Sequence, residues 1–177
     1  MKKIILYLTF LIAGLMLTVL GAEAQDMFTA ARSNDTVSLT LLLRHHIKTD
    51  TVDRRGSTPL IVAVYNENEA ATLLLLKNGA DPNAKDLSGN TALMGACYKG
   101  LLPMVKYLYE NKANLNQQNY NSATALIFAA TFGHEEIVRY LISKGALINT
   151  KDRFGKTALD YALNQENENI VALLNLK

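Results

Sequence analysis

Tryptophan is absent from this chain, cysteine occurs once and proline three times. With Cys97 alone, no intramolecular disulfide can form, so stability must come from apolar packing. The scarcity of proline leaves long stretches free to be helical. The 177 residues carry a formal net charge of only +2, which lacks the basic excess of a nucleic-acid binder. With 49% apolar and 19% charged residues, the composition is that of a folded chain and excludes disorder. Three histidines are present, and none has a cysteine or acidic neighbour at metal-ligand spacing. His45 and His46 are adjacent, so one helix cannot aim both at one ligand. There is no nucleophile elbow and no phosphate-binding loop. The chain is therefore expected to be non-catalytic, with no cofactor and no metal.

The long apolar run is confined to the start. Met1, Lys2 and Lys3 form a short positive region, followed by an apolar stretch from Ile4 to Leu20. Ala22, Glu23 and Ala24 then make a small-residue cleavage site. This pattern reads as a bacterial-type export signal over residues 1–24, cleaved after Ala24, with the mature chain starting at Gln25. The expected location is periplasmic or secreted, with no membrane attachment after cleavage. The competing reading is an uncleaved membrane anchor on a tethered scaffold, because the run is almost long enough to span.

Beyond the signal, one stretch repeats. Thr58, Thr91, Thr124 and Thr157 recur at intervals of 33 residues, as do Leu60, Leu93, Leu126 and Leu159. Ala63, Ala96, Ala129 and Ala162 keep the same interval, and Asn83, Asn116 and Asn149 mark the far end of three units. Such a period means stacked supersecondary units rather than one globular core. Within the unit, Thr58 suits a helix N-cap and Pro59 the first helical position. Gly56 suits a tight turn, and Gly79 a left-handed helix end. Cys97 shares a register with Val64, Ala130 and Leu163, which marks it as a small buried residue rather than a reactive thiol.

The segments Gly-Ser-Thr-Pro-Leu (56–60) and Asn-Gly-Ala-Asp-Pro-Asn-Ala (78–84) resemble an ankyrin repeat, and the resemblance extends over roughly residues 25–177. It implies an all-α solenoid of about five helix-turn-helix units with short turn tips between them. The units are expected at 25–52 (an N-terminal cap), 53–85, 86–118, 119–151 and 152–177 (a polar C-terminal cap), forming one domain. Several positions depart from the family pattern. The usual histidine after the Thr-Pro-Leu motif is replaced by Ile61, Met94, Ile127 and Asp160, so apolar packing must substitute for its hydrogen bonds. Ser122 replaces the turn glycine, while Lys112 and His46 replace the helix-ending glycine. His134 matches the family's structural Gly-His, with Glu135 and Glu136 in a helix first turn where carboxylates are favoured. Asn34-Asp35-Thr36 matches a glycosylation acceptor in form only.

The resemblance also implies that turn tips and the exposed side of the first helices line a concave face that grips partner proteins. Carried over column by column, the tips are Arg54, Leu87, Tyr120 and Arg153, then Arg55, Ser88, Asn121 and Phe154, then Ser57, Asn90, Ala123 and Lys156. The helix columns are Arg32, Tyr65, Tyr98, Thr131 and Asn164, then Ser33, Asn66, Lys99, Phe132 and Gln165. Aromatics and arginines dominate binding hot spots. The expected protein-binding residues are accordingly Arg54, Arg55, Tyr65, Tyr98, Lys99, Tyr120, Phe132, Arg153, Phe154 and Lys156. No acid falls in these columns, although Asp53, Asp86 and Asp152 sit beside the tips. The face is therefore expected to prefer an acidic protein partner, bound by a monomer. A specific version is an inhibitor or self-protection factor for an envelope enzyme. The rival class is an enzyme whose site the motifs do not reveal.

Overall fold

The computed structural model describes residues 26–45 and 47–175. The expected export signal at 1–24, its expected cleavage site and His46 lie outside the described residues. Among the described residues the regular structure is helical throughout, with no strand. Residues 26–33 are helical (α1). They are followed by α2 (Thr36–Arg44), α3 (Pro59–Tyr65), α4 (Glu69–Lys77), α5 (Ala92–Lys99) and α6 (Leu102–Glu110). The remainder are α7 (Ala125–Thr131), α8 (Glu135–Ser143), α9 (Ala158–Asn164) and α10 (Glu168–Asn175). They form five helix-turn-helix pairs. The first helices α3, α5, α7 and α9 pack successively on one another, and the second helices α2, α4, α6, α8 and α10 do the same.

The threonine column starts four of the first helices. Thr58, Thr91, Thr124 and Thr157 stand in extended backbone, and each hydroxyl accepts from the N–H three residues on. At Thr157 the bond is reciprocated, because the Thr157 N–H donates to Asp160 at 2.7 Å, completing a capping box. Pro59 sits at the helix start, and Pro103 occupies the first turn of α6, where neither blocks a helical bond. A second punctuating column joins the two helices of each pair. Asn34, Glu67, Gly100, Gly133 and Glu166 all have positive φ and turn the chain before the next helix. Gly79 and Gly145 end α4 and α8 in the left-handed region, and Lys112 takes the same conformation after α6.

The leucine and alanine columns are the core. Leu60, Leu93 and Leu126 are buried, as are Leu75, Leu108 and Leu141 from the second helices. Each buried leucine contributes about 1.5–3 kcal/mol. Ala63, Ala96, Ala129 and Ala162 are fully buried, where a small side chain lets neighbouring first helices approach closely. Ile61, Met94 and Ile127 are also buried, so apolar packing fills the place of the missing histidine.

Polar bonds between units come from elsewhere. The carboxyl or amide oxygens of Asp50, Asn83 and Asn116 accept from the backbone N–H of Asp81, Asn114 and Leu147 at 2.9, 2.7 and 2.8 Å. Each such bond ties the end of one unit to the end of the next. A further column reaches back: Asn68 donates to the carbonyls of Ala31 and Arg32, both at 2.8 Å, and His134 Nε2 lies 3.1 Å from the Tyr98 carbonyl. His134 also rests on Gly100, where a Cβ would come within 2.6 Å of its ring. Its role is structural. Among the described residues no helix is long and apolar enough to cross a membrane.

Candidate protein-binding face

Four turn tips project from the first-helix layer, and all share one geometry. The side-chain oxygen of Asp53, Asp86, Asn119 or Asp152 accepts two backbone N–H groups, two and four residues on, at 2.8–3.0 Å. The same residues close the loop through their own backbone, as in the Asp53 N–H to Ser57 carbonyl bond at 3.0 Å. Successive tips are joined by backbone bonds: Leu87 to the Arg55 carbonyl, Tyr120 to Ser88, and Arg153 to Asn121, at 2.9, 3.1 and 2.9 Å. The tips thus form one ladder of preset spacing. The aspartates beside the tips thus hold the loops. Burial pushes the Asp152 carboxyl up. The Tyr161 hydroxyl at 2.6 Å, two backbone N–H groups and Lys156 outweigh it, leaving the group below the usual carboxylate range.

On this frame, Arg54, Arg55, Tyr98, Lys99, Tyr120, Phe132, Arg153, Phe154 and Lys156 are all exposed. Tyr65 is not, contrary to the expectation for its column. It is half-buried, because its ring lies across Gly95 of the next unit, where a Cβ would come within 2.9 Å. Burial, then Asp86 and Tyr98, raise its phenol above the ordinary value. Tyr98 follows with its ring centre 6.5 Å from Tyr65, and Phe132 packs edge-on against Tyr98 at 4.6 Å. Three successive units therefore present one continuous aromatic strip, with Tyr98 and Phe132 its exposed members.

The basic residues do not act as one group. Lys99 is paired with Glu67 at 2.9 Å, so an acid outside the expected columns neutralises it. Arg153 lies over the Phe154 ring at 4.6 Å, and Lys156 over Tyr161 at 5.5 Å. This second cluster sits at the last tip. Arg54 and Arg55 instead join Arg32 and Tyr65 around a groove of about 730 Å³ between the first two tips. Leu87 stands on its rim and is 71% exposed. The tip columns contained Leu87, yet a preference for aromatics and arginine passed over it.

Other sequence features resolve into packing. Cys97 is fully buried, and burial pushes its thiol well above the ordinary range, which leaves it unreactive. The Asn34 Oδ1 accepts from the Ala71 N–H at 2.9 Å and so links the first two units, while the residue itself is exposed. Among the described residues no three His, Cys, Asp or Glu side chains come together as metal ligands.

No curated protein matches the chain at a significant level. A family model described as ankyrin repeats (3 copies) matches residues 27–119 and 93–176, which together take in nearly all the described chain. Helix pairs stacked at a fixed interval, threonine-capped first helices and tips linked by backbone bonds agree with that match: the chain belongs to the ankyrin repeat family.

Proposed function

We propose that this chain is an exported, non-catalytic binding protein that grips a partner protein of the cell envelope with its tip-bearing face. The observation that carries the reading is the aromatic strip of Tyr65, Tyr98 and Phe132. Tyr98 and Phe132 are 40% and 48% exposed, and they adjoin each other across two units. Large apolar rings held rigid on a solvent face have the character of interface anchors. Their spacing is fixed by the helix stack, so little conformational entropy is lost on binding. Ankyrin repeats generally bind proteins, which supports the class of ligand. The apolar start and the Ala22–Ala24 site support export, with cleavage after Ala24. A face that covers a partner without chemistry of its own suits an inhibitor or self-protection factor for an envelope enzyme.

The test is cross-linking capture in intact cells, followed by identification of the linked partner. The full chain is compared with a Tyr98→Ala, Phe132→Ala double substitution. A partner held by the first and lost by the second is the expected result, with both variants equally folded by circular dichroism. Equal capture by both would place the site elsewhere. N-terminal sequencing of the recovered protein reads the export step, with Gln25 as the expected first residue.

A further inference from the structure

The groove between the first two tips differs from the rest of the face in its charge. Arg32, Arg54 and Arg55 all line it, and among the described residues none of their guanidinium groups has an ion pair or side-chain hydrogen bond. The two carboxylates in the same lining, Asp53 and Asp86, are each turned onto their own loop, where one oxygen accepts two backbone N–H groups. They are thereby fixed beside the guanidiniums without bridging to them. Elsewhere the cations of the face are occupied, Lys99 by Glu67 and Arg153 and Lys156 by aromatic rings. The floor of the groove includes buried Ile61 and Val62, and its rim carries exposed Leu87 and half-buried Tyr65.

We propose that this groove takes an extended acidic segment of the partner protein, seating a carboxylate among Arg32, Arg54 and Arg55 and an adjoining apolar side chain against Leu87 and Tyr65. The inference deepens the binding reading above and rests on it. It locates the acidic preference at one end of the stack, whereas the aromatic strip is central. The physical basis is charge complementarity at a site that a backbone-bonded pair of tips holds open. Planar guanidiniums suit carboxylates because they can donate two parallel bonds. A groove some 730 Å³ in volume has room for a few residues of extended chain rather than a whole folded element.

The test pans a displayed library of random dodecapeptides on the full chain. Selected peptides are expected to carry Asp or Glu at one fixed place beside an apolar residue. Their affinity is then measured against two variants that lose the same charge. Arg32→Gln with Arg54→Gln and Arg55→Gln empties the groove of cations; Lys77→Gln with Lys106→Gln and Lys144→Gln does so on the second-helix side. The first variant should weaken binding by about tenfold or more, from three partly solvated ion contacts. The second should leave it within about twofold, since distant exposed charges are screened. Peptides without an acidic position, equal losses in both variants, or no peptide selected at all would each overturn the groove assignment. So would concentration-dependent self-association lost in the arginine variant, which would make a second copy of the chain the occupant. None of these outcomes bears on the strip, whose partner is captured and lost through Tyr98 and Phe132.

Discussion

Lys112, with a φ of 70°, occupies a left-handed position that glycine fills at Gly79 and Gly145. A side chain there costs about 1–2 kcal/mol, and a Cβ at Gly79 or Gly145 meets nothing within 4 Å. Lys112→Gly is therefore expected to stabilise the protein by about 0.5–1 kcal/mol, after the greater freedom of glycine in the unfolded chain is subtracted. The urea midpoint should rise with an unchanged slope. Gly89 presents the opposite case. Its φ is also positive, but a Cβ would stand 2.7 Å from the Tyr120 backbone nitrogen. Gly89→Ala should lose about 2 kcal/mol or more, because strain and a backbone clash add. A glycine column in the sequence locates such positions without ranking them. The ranking depends on what the following unit places against each Cα. Similar effects of the two substitutions would show that the tips do not pack as closely as these distances require.

The individual helices are too short to stand alone. Their seven to nine residues fall below the length at which an isolated helix is stable in water. What sustains them is the neighbour on each side, together with the caps and the bonds between units. Much of this was legible in the sequence, because the threonine caps, leucine core and alanine contact column act within the repeat interval. The purpose of the asparagine column was not. Asn83 and Asn116 marked the end of a unit, whereas their partners are backbone N–H groups 31 residues further on. Only the stacked fold brings those groups together. Asn116→Ala removes the acceptor for the Leu147 N–H and should cost about 1 kcal/mol. Asn149 shares the column but makes no such bond among the described residues, so Asn149→Ala should change the unfolding midpoint little. Equal losses at both sites would mean that the asparagines act on their own loops rather than between units.

At the scale of the whole molecule, the exposure of the candidate face was legible in part for the same reason. Nine of the ten expected binding residues are exposed, since a fixed period projects fixed columns outward. The exception, Tyr65, covers Gly95, and the exposed Lys99 meets Glu67; both contacts lie between units, and no single column records them. A stack of this kind also predicts how stability is distributed. Among the described residues, units in the middle pack on two sides, whereas the first and last pack against one neighbour each. The first unit leaves Val37 and Leu41 at 70% and 52% exposure, and the last leaves Leu163 at 54%. Native-state hydrogen exchange should therefore show the highest protection in α5 and α7, falling toward α2 and α10 by at least tenfold in rate, about 1.4 kcal/mol. The gradient has a functional consequence, because Tyr98 and Phe132 stand at the C-terminal ends of α5 and α7. Their strip would be held by the most protected part of the stack, while the arginine groove lies nearer the N-terminal end. Protection in α2 equal to that in α5 would make the stack a single cooperative unit, with both sites held equally rigid. A gradient as expected would instead leave the strip preorganised even when the first unit opens.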